Sequence, residues 1–226
     1  PALPWPGQPA MSDFPFRVYL ITDRLHTAGD PLALLPGLAA AGLRALQVRE
    51  KDLAPAALYD FCRAAQKALG EAQGVAKGEA GVELYLNDRA DLALSLDFSG
   101  VQLREESLPL GAHAQPLRAA LRYGVSTHSV EGVLAAQAAG AHFATFGPVY
   151  ATASKSAYGE PVGLQALERA AAASPLPLLA LGGVTPERTR ECLDAGALGV
   201  AAISAVWDAP QPAAALRSFA DALGGL

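Results

Sequence analysis

Eight times along this chain a short apolar run gives way to a segment with helical spacing. The apolar runs fall at residues 16–21, 43–48, 82–86, 100–103, 123–126, 142–146, 177–181 and 198–203. Helical spacing follows at 32–41, 55–69, 90–96, 116–122, 130–139, 164–173, from Pro186 to a stop at Gly196, and in a last segment running to about Leu223. Strands separated by helices must pair in parallel, because each helix is a crossover. Their continuous apolar character fits burial on both faces. An open doubly wound sheet is the competing architecture, but eight regular units favour closure. The expectation is an α/β protein with one domain, a (β/α)8 TIM barrel over residues 16–226, behind an irregular extension at 1–15.

Punctuation supports the map. Pro55 and Pro186 suit first helical turns. Ser129 suits an N-cap, and Gly140 a left-handed stop. The glycine-rich stretch 70–81 reads as a surface loop, and 147–163 as a long one. With 51% hydrophobic residues a large core is available, and the net charge of −5 argues against a nucleic-acid partner. No apolar run approaches the roughly 18 residues of a membrane span. The first ten residues hold four prolines and no basic residue, unlike a signal peptide. The only two cysteines, Cys62 and Cys192, both sit in helical segments. Without a disulfide or metal spacing they suit a reducing, cytoplasmic setting.

In such a barrel, chemistry collects where strands end. Gln47, Arg49 and Lys51 alternate across the end of the second strand, so they point one way; the bland alternative is a solvated loop in which Glu50 pairs with a cation. Asn87-Asp88 ends the third strand. Asp88 offers an oxygen ligand to a hard cation, or simply a helix N-cap. Ser126 and His128 end the fifth strand, and a histidine there suits proton transfer, or a structural hydrogen bond. Thr152, Ser154 and Lys155 lie in the long loop after the sixth strand and suit an anion. The glycines ending at Gly183, and Ile203-Ser204, follow strands seven and eight, where barrels commonly hold phosphate on backbone N–H groups.

Taken in order, Tyr19-Leu-Ile-Thr-Asp23, Gln47-Val-Arg-Glu-Lys51, Asn87-Asp88-Arg89, Gly124-Val-Ser126, Gly147-Pro-Val-Tyr150, Thr152-Ala-Ser-Lys155, Leu181-Gly-Gly183 and Ile203-Ser204 resemble the thiamine-phosphate synthase/TenI superfamily. The resemblance spans essentially residues 18–206. In its synthases a pyrimidine methyl diphosphate loses pyrophosphate, and a thiazole phosphate nitrogen captures the resulting cation. The resemblance implies that Gln47, Arg49, Lys51 and Lys155 hold the diphosphate, that Asn87 and Ser126 bind the pyrimidine, and that Asp88 binds Mg2+. Thr152, Ser154, Gly183, Ile203 and Ser204 would hold the thiazole phosphate. The partners implied are small phosphorylated substrates, without nucleic acid or membrane. Members often form homodimers, although no interface is marked here.

One stretch departs from the synthase pattern. After the fourth strand synthases usually read His-x-Gly-x-x-Asp, the Asp being a second magnesium ligand; here Gln102, Arg104 and Ser107 take those three places. Glu105 and Glu106 are acids in another register, and Arg104 would fill space used by substrate. TenI-like thiazole tautomerases also lack that Asp. They use a histidine at the position of His128 to aromatise thiazole carboxylate phosphate, with no metal. The retained diphosphate residues favour a synthase. The alternatives are the tautomerase and a non-catalytic thiazole-phosphate-binding barrel.

Overall fold

The computed structural model describes residues 14–25, 29–73, 81–152 and 160–224. Eight strands, β1 (Val18–Ile21), β2 (Ala45–Val48), β3 (Glu83–Asn87), β4 (Gly100–Leu103), β5 (Arg122–Thr127), β6 (Phe143–Phe146), β7 (Leu178–Leu181) and β8 (Gly199–Ala202), close into a barrel. Every neighbouring pair is parallel, and β1 meets β8 with Val18 opposite Val200 and Leu20 opposite Ala202. This is the (β/α)8 architecture expected. No helix among the described residues is long and apolar enough to cross a membrane.

Period-two alternation divides the strand residues between two cores. Val18, Leu20, Leu46, Val48, Leu84, Leu86, Val101 and Leu103 face outward and pack under the helices. Tyr19, Ile21, Ala45, Tyr85, Phe143, Leu179 and Ala201 face inward and join Phe16 in a separate cluster. Aromatic rings fill the lower barrel: Tyr19, Tyr85 and Phe143 meet edge to face at 5.4–5.5 Å between centroids. β4 and β5 make room for them with glycine. A Cβ on Gly100 would stand 2.6 Å from the Tyr85 ring, and one on Gly124 2.4 Å from the Phe143 ring. Higher up, the inward positions turn polar, at Gln47, Asn87, Gln102, Ser126 and Thr145. The barrel is therefore sealed below and hydrophilic at the C-terminal mouth.

The helices are α1 (Pro31–Ala40), α2 (Pro55–Gln73), α3 (Ala90–Ser95), α4 (Gln115–Ala120), α5 (Val130–Ala139), α6 (Gly163–Ala173), α7 (Pro186–Asp194), α8 (Ser204–Trp207) and α9 (Pro212–Ala222). α5 has the expected ends: Ser129 Oγ accepts from Gly132 N–H at 3.0 Å, and Gly140 takes φ +87°. Two expectations need correction. α2 runs through Gly70 to Gln73, where a loop was expected from residue 70. One glycine costs only about 1 kcal/mol against alanine, and the buried stripe of Leu58, Cys62, Ala65 and Leu69 anchors the helix. The terminal segment is two helices, not one, because Pro210 cannot continue a helix. Trp207 at the end of α8 is buried and donates its indole N–H to the Ile21 carbonyl at 2.7 Å, tying this corner to β1. Most of the proposed extension, residues 1–13, lies outside the described residues.

The β1–β8 seam is tight at Gly199, where an added Cβ would stand 2.1 Å from the Arg17 carbonyl oxygen. That atom is backbone, and it accepts the β8 hydrogen bond from Val200. Gly199→Ala should therefore cost ~1–3 kcal/mol or more, as overpacking does. Gly111→Ala, with nothing within 4 Å, is the control and should change little. Urea midpoints of the two variants check this; equal stabilities would show that the β1–β8 seam yields easily.

Candidate active site

Strand alternation sorts the end of β2 as expected. Gln47, Arg49 and Lys51 border a cavity of ≈350 Å3 at the barrel mouth, with Asn87, Ser126, His128, Leu181 and Ile203 on its other walls. Val48 and Glu50 border a neighbouring cavity of ≈400 Å3, and Lys51, Asn87 and Arg104 border both. Glu50 does not neutralise these cations. It is buried and accepts from Arg24 N–H at 3.2 Å, beside the Arg24 guanidinium at 3.6 Å. Burial pushes the Glu50 carboxyl above its usual range, against the opposing pull of its Thr22 and Arg24 partners. Arg49 pairs with Asp23 instead, Nη1 to Oδ2 at 3.3 Å, and its N–H donates to Thr22 Oγ1 at 3.0 Å.

Asp88 does not cap α3. Arg89 occupies the N-cap without a side-chain bond, and Asp88 takes φ +62°. Its carboxylate accepts from three donors: Arg104 Nε at 2.7 Å, Asn87 Nδ2 at 3.0 Å, and the Ser107 hydroxyl. Ser107 Oγ in turn accepts from Arg104 N–H at 2.8 Å. Glu106 stands 3.7 Å from Arg104 Nη1 on the open side. Glu105 reaches toward α5, its Oε1 2.9 Å from where a Gly132 Cβ would be. Neither acid is directed at Asp88. Among the described residues no group of three or more His, Cys, Asp or Glu side chains is arranged to hold a metal ion.

Under the mouth, Gln102 Nε2 donates to Ser126 Oγ at 3.1 Å and to Thr145 Oγ1 at 3.4 Å, and Thr145 donates to Ser126 at 3.4 Å. Two donors arriving at Ser126 leave its own proton for an acceptor in the cavity. In the sequence Gln102 stands out only as a departure from the synthase pattern, and Thr145 not at all. The available signal was a polar residue at an inward position of an otherwise apolar strand. His128 places Nδ1 on the Gly147 carbonyl, which can only accept; Nδ1 therefore carries the proton, and Nε2 is the nitrogen able to accept one.

On the opposite lip, Leu181 lies beside Ala201 in register, so Gly183 and Ile203 each follow two residues on. Residues 149–150 run alongside, with Val149 N–H on Leu181 O at 2.8 Å and Tyr150 N–H on Gly182 O at 2.9 Å. This brings Thr152 toward the same lip, while Ser154 and Lys155 lie outside the described residues. Gly183 takes φ +63°, and a Cβ there would meet the Ala151 carbonyl at 2.7 Å. A larger residue at 183 would thus first displace the 150–152 backbone. Arg188 donates to the Gly183 carbonyl at 2.8 Å and stacks 4.5 Å above the Tyr150 ring, so α7 braces this loop. Ser204 opens α8 directly after Ile203.

The cations act on one another. The Lys51 amine is held below the usual lysine range, first by burial and then by the charges of Arg49 and Arg104, with Asp23 and Asp88 opposing. A lowered lysine pKa means that charging Lys51 is less favourable folded than unfolded, so removing a neighbouring cation should raise it. Arg104→Ala should shift the midpoint for amine acylation at Lys51 upward, followed by peptide-resolved mass spectrometry across pH. An unmoved midpoint would show that the two charges do not interact.

Comparison with known proteins agrees with this geometry. Residues 18–206 match the family model described as thiamine monophosphate synthase. A Geobacter sulfurreducens protein, provisionally named a thiamine-phosphate synthase, is 42% identical over 211 residues, covering 92% of this chain and 95% of its own. A thiamine-phosphate synthase of Roseiflexus castenholzii is 38% identical, covering 90% of this chain and 86% of its own. Among solved structures, thiamine phosphate pyrophosphorylase from Pyrococcus furiosus superposes with a TM-score of 0.78 at 27% identity, covering 92% of this chain and 95% of that one. A barrel mouth lined by Gln47, Arg49, Lys51, Asn87 and Ser126, together with these matches, shows that the chain belongs to the thiamine monophosphate synthase family.

Proposed function

We propose that this protein is a thiamine-phosphate synthase: a transferase that joins hydroxymethylpyrimidine diphosphate to thiazole phosphate and releases pyrophosphate. The observation that carries the reading is the meeting of Arg49, Lys51, Asn87 and Ser126 around one cavity at the barrel mouth. In the reaction the C–O bond to the diphosphate breaks, and its electron pair leaves with pyrophosphate. The thiazole nitrogen then bonds to the pyrimidine methylene carbon. No protein nucleophile is required, so the protein's task is electrostatic and positional.

The roles are assigned from chemistry and, for the described residues, from position; Ser154 and Lys155 are assigned by the resemblance alone. Arg49 and Lys51, with Gln47 as amide donor and Lys155 from the loop, hold the leaving diphosphate. Asn87 and the outward-donating Ser126 hydroxyl bind the pyrimidine ring. Thr152, Ser154 and the backbone at Gly183, Ile203 and Ser204 hold the thiazole phosphate. His128, with Nε2 as acceptor, is the group suited to proton movement at the mouth.

Synthases of this family are magnesium-dependent in general, and the resemblance assigns the ion to Asp88. The donor set here does not fit that ion. Mg2+ takes oxygen ligands in near-octahedral array; both Asp88 oxygens already accept from protein donors, one of them a guanidinium, and Ser107 replaces the second carboxylate. No step is therefore assigned to a metal at Asp88.

Incubation with both substrates should yield thiamine phosphate and pyrophosphate in equal amounts. Lys51→Ala should lower kcat/KM by about 100-fold, the scale for removing one fixed group that stabilises developing charge. If thiamine phosphate is not formed at high protein concentration while the thiazole tautomer is still aromatised, the synthase reading fails and the tautomerase takes its place.

A further inference from the structure

The geometry points to Arg104 as a third cation of the diphosphate clamp, held over the mouth by Asp88, which we propose is a positioning residue for that arginine in place of a metal ligand. The identity of the anion rests on the synthase reading; the placement of the cation does not. Arg104 follows β4 and borders both mouth cavities, together with Lys51 and Asn87. Its Nε is committed to Asp88 Oδ2 at 2.7 Å, and its backbone N–H to Ser107 at 2.8 Å. The first bond orients the guanidinium, and the second holds the main chain that carries it. Its terminal nitrogens remain for an anion; among the described residues Nη1 is paired with Glu106 at 3.7 Å, whose side chain is 87% exposed. A guanidinium fork matches two oxygens of a phosphate.

Asp88 is arranged for an arginine. Three donors on one carboxylate nearly fill its acceptor sites, and each comes from Arg104, Ser107 or Asn87. A divalent ion would have to displace the guanidinium from the oxygen it already occupies. Ser107, which hydrogen-bonds to Asp88, adds a hydroxyl donor there and no negative charge. The substitutions at 104 and 107 thus agree with each other: one adds a fixed positive charge, and the other removes the carboxylate that would recruit a mobile one. Arg49, Lys51 and Arg104 then face a diphosphate as three side-chain cations, with the ion pairs to Asp23 and Asp88 keeping two of them in place.

Inorganic pyrophosphate is the probe, with binding measured by calorimetry in excess EDTA, so the result does not depend on turnover. Wild-type protein should bind it without metal. Arg104→Ala should weaken binding about 10- to 100-fold, the range for a charge-assisted hydrogen-bonded contact; Arg104→Lys should recover only part of the loss. Asp88→Ala should weaken binding comparably, and the Arg104→Ala/Asp88→Ala pair no further than Arg104→Ala alone, as expected when one residue acts through the other. The pair Arg104→Gly/Ser107→Asp should lose binding in EDTA and regain it with Mg2+. Wild-type binding that appears only with Mg2+, or an Arg104→Ala protein that binds as wild type, would overturn the proposal. Additive losses at 104 and 88 would overturn the positioning role of Asp88. Normal pyrophosphate binding without thiamine phosphate formation would instead count against the synthase reading and leave the clamp standing.

Discussion

Closing eight parallel strands into one barrel forces all their C-terminal ends to the same rim. Each strand here is only four to six residues long, so alternation leaves few inward places apiece. The lower ones are filled by Tyr19, Tyr85 and Phe143. The upper ones are left for polar side chains, which converge because the barrel gives them nowhere else to point. A cavity at that mouth follows from the hydrogen-bond register across β1 and β8 as much as from any residue lining it.

Convergence creates an electrostatic difficulty that the structure answers locally. Three cations at one rim repel: burial first, and then the charges of Arg49 and Arg104, hold the Lys51 amine below its usual range. Asp23 and Asp88 each hold one arginine, whereas Glu50 is drawn under the rim by Arg24. The protein as a whole is acidic, yet its mouth presents fixed positive charge. Fixed charges stabilise a departing diphosphate without reorganising at the moment of bond breaking. The same logic makes the pairing of Arg104 and Ser107 around Asp88 chemically coherent.

Much of the fold was legible because it rests on short-range patterns. Strand positions, the capping serine at 129 and the stop at Gly140 follow from period and backbone preference alone. Where reading by pattern went astray, a local signal was outweighed or overlooked. Gly70 suggested a loop, but burial along one side of α2 prevailed. Pro210 should have divided the last helix. At the site, the ordered motifs identified the rim residues, but Gln102 stood out only as a departure from the pattern and Thr145 not at all, until β4, β5 and β6 placed them beneath Ser126.

By itself the sequence determined the alternation of strand and helix, the direction in which Gln47, Arg49 and Lys51 point, and the family to which the motifs belong. These are properties of neighbours along the chain, set by a period of two or of 3.6. Only the tertiary structure decided which charges meet. Asp88 and Arg104 are sixteen residues apart, and Glu50 and Arg24 twenty-six. No local rule says that the first pair shares a carboxylate or that the second removes Glu50 from the rim. Coulomb interactions fall with distance through space, and that distance exists only once the barrel has closed.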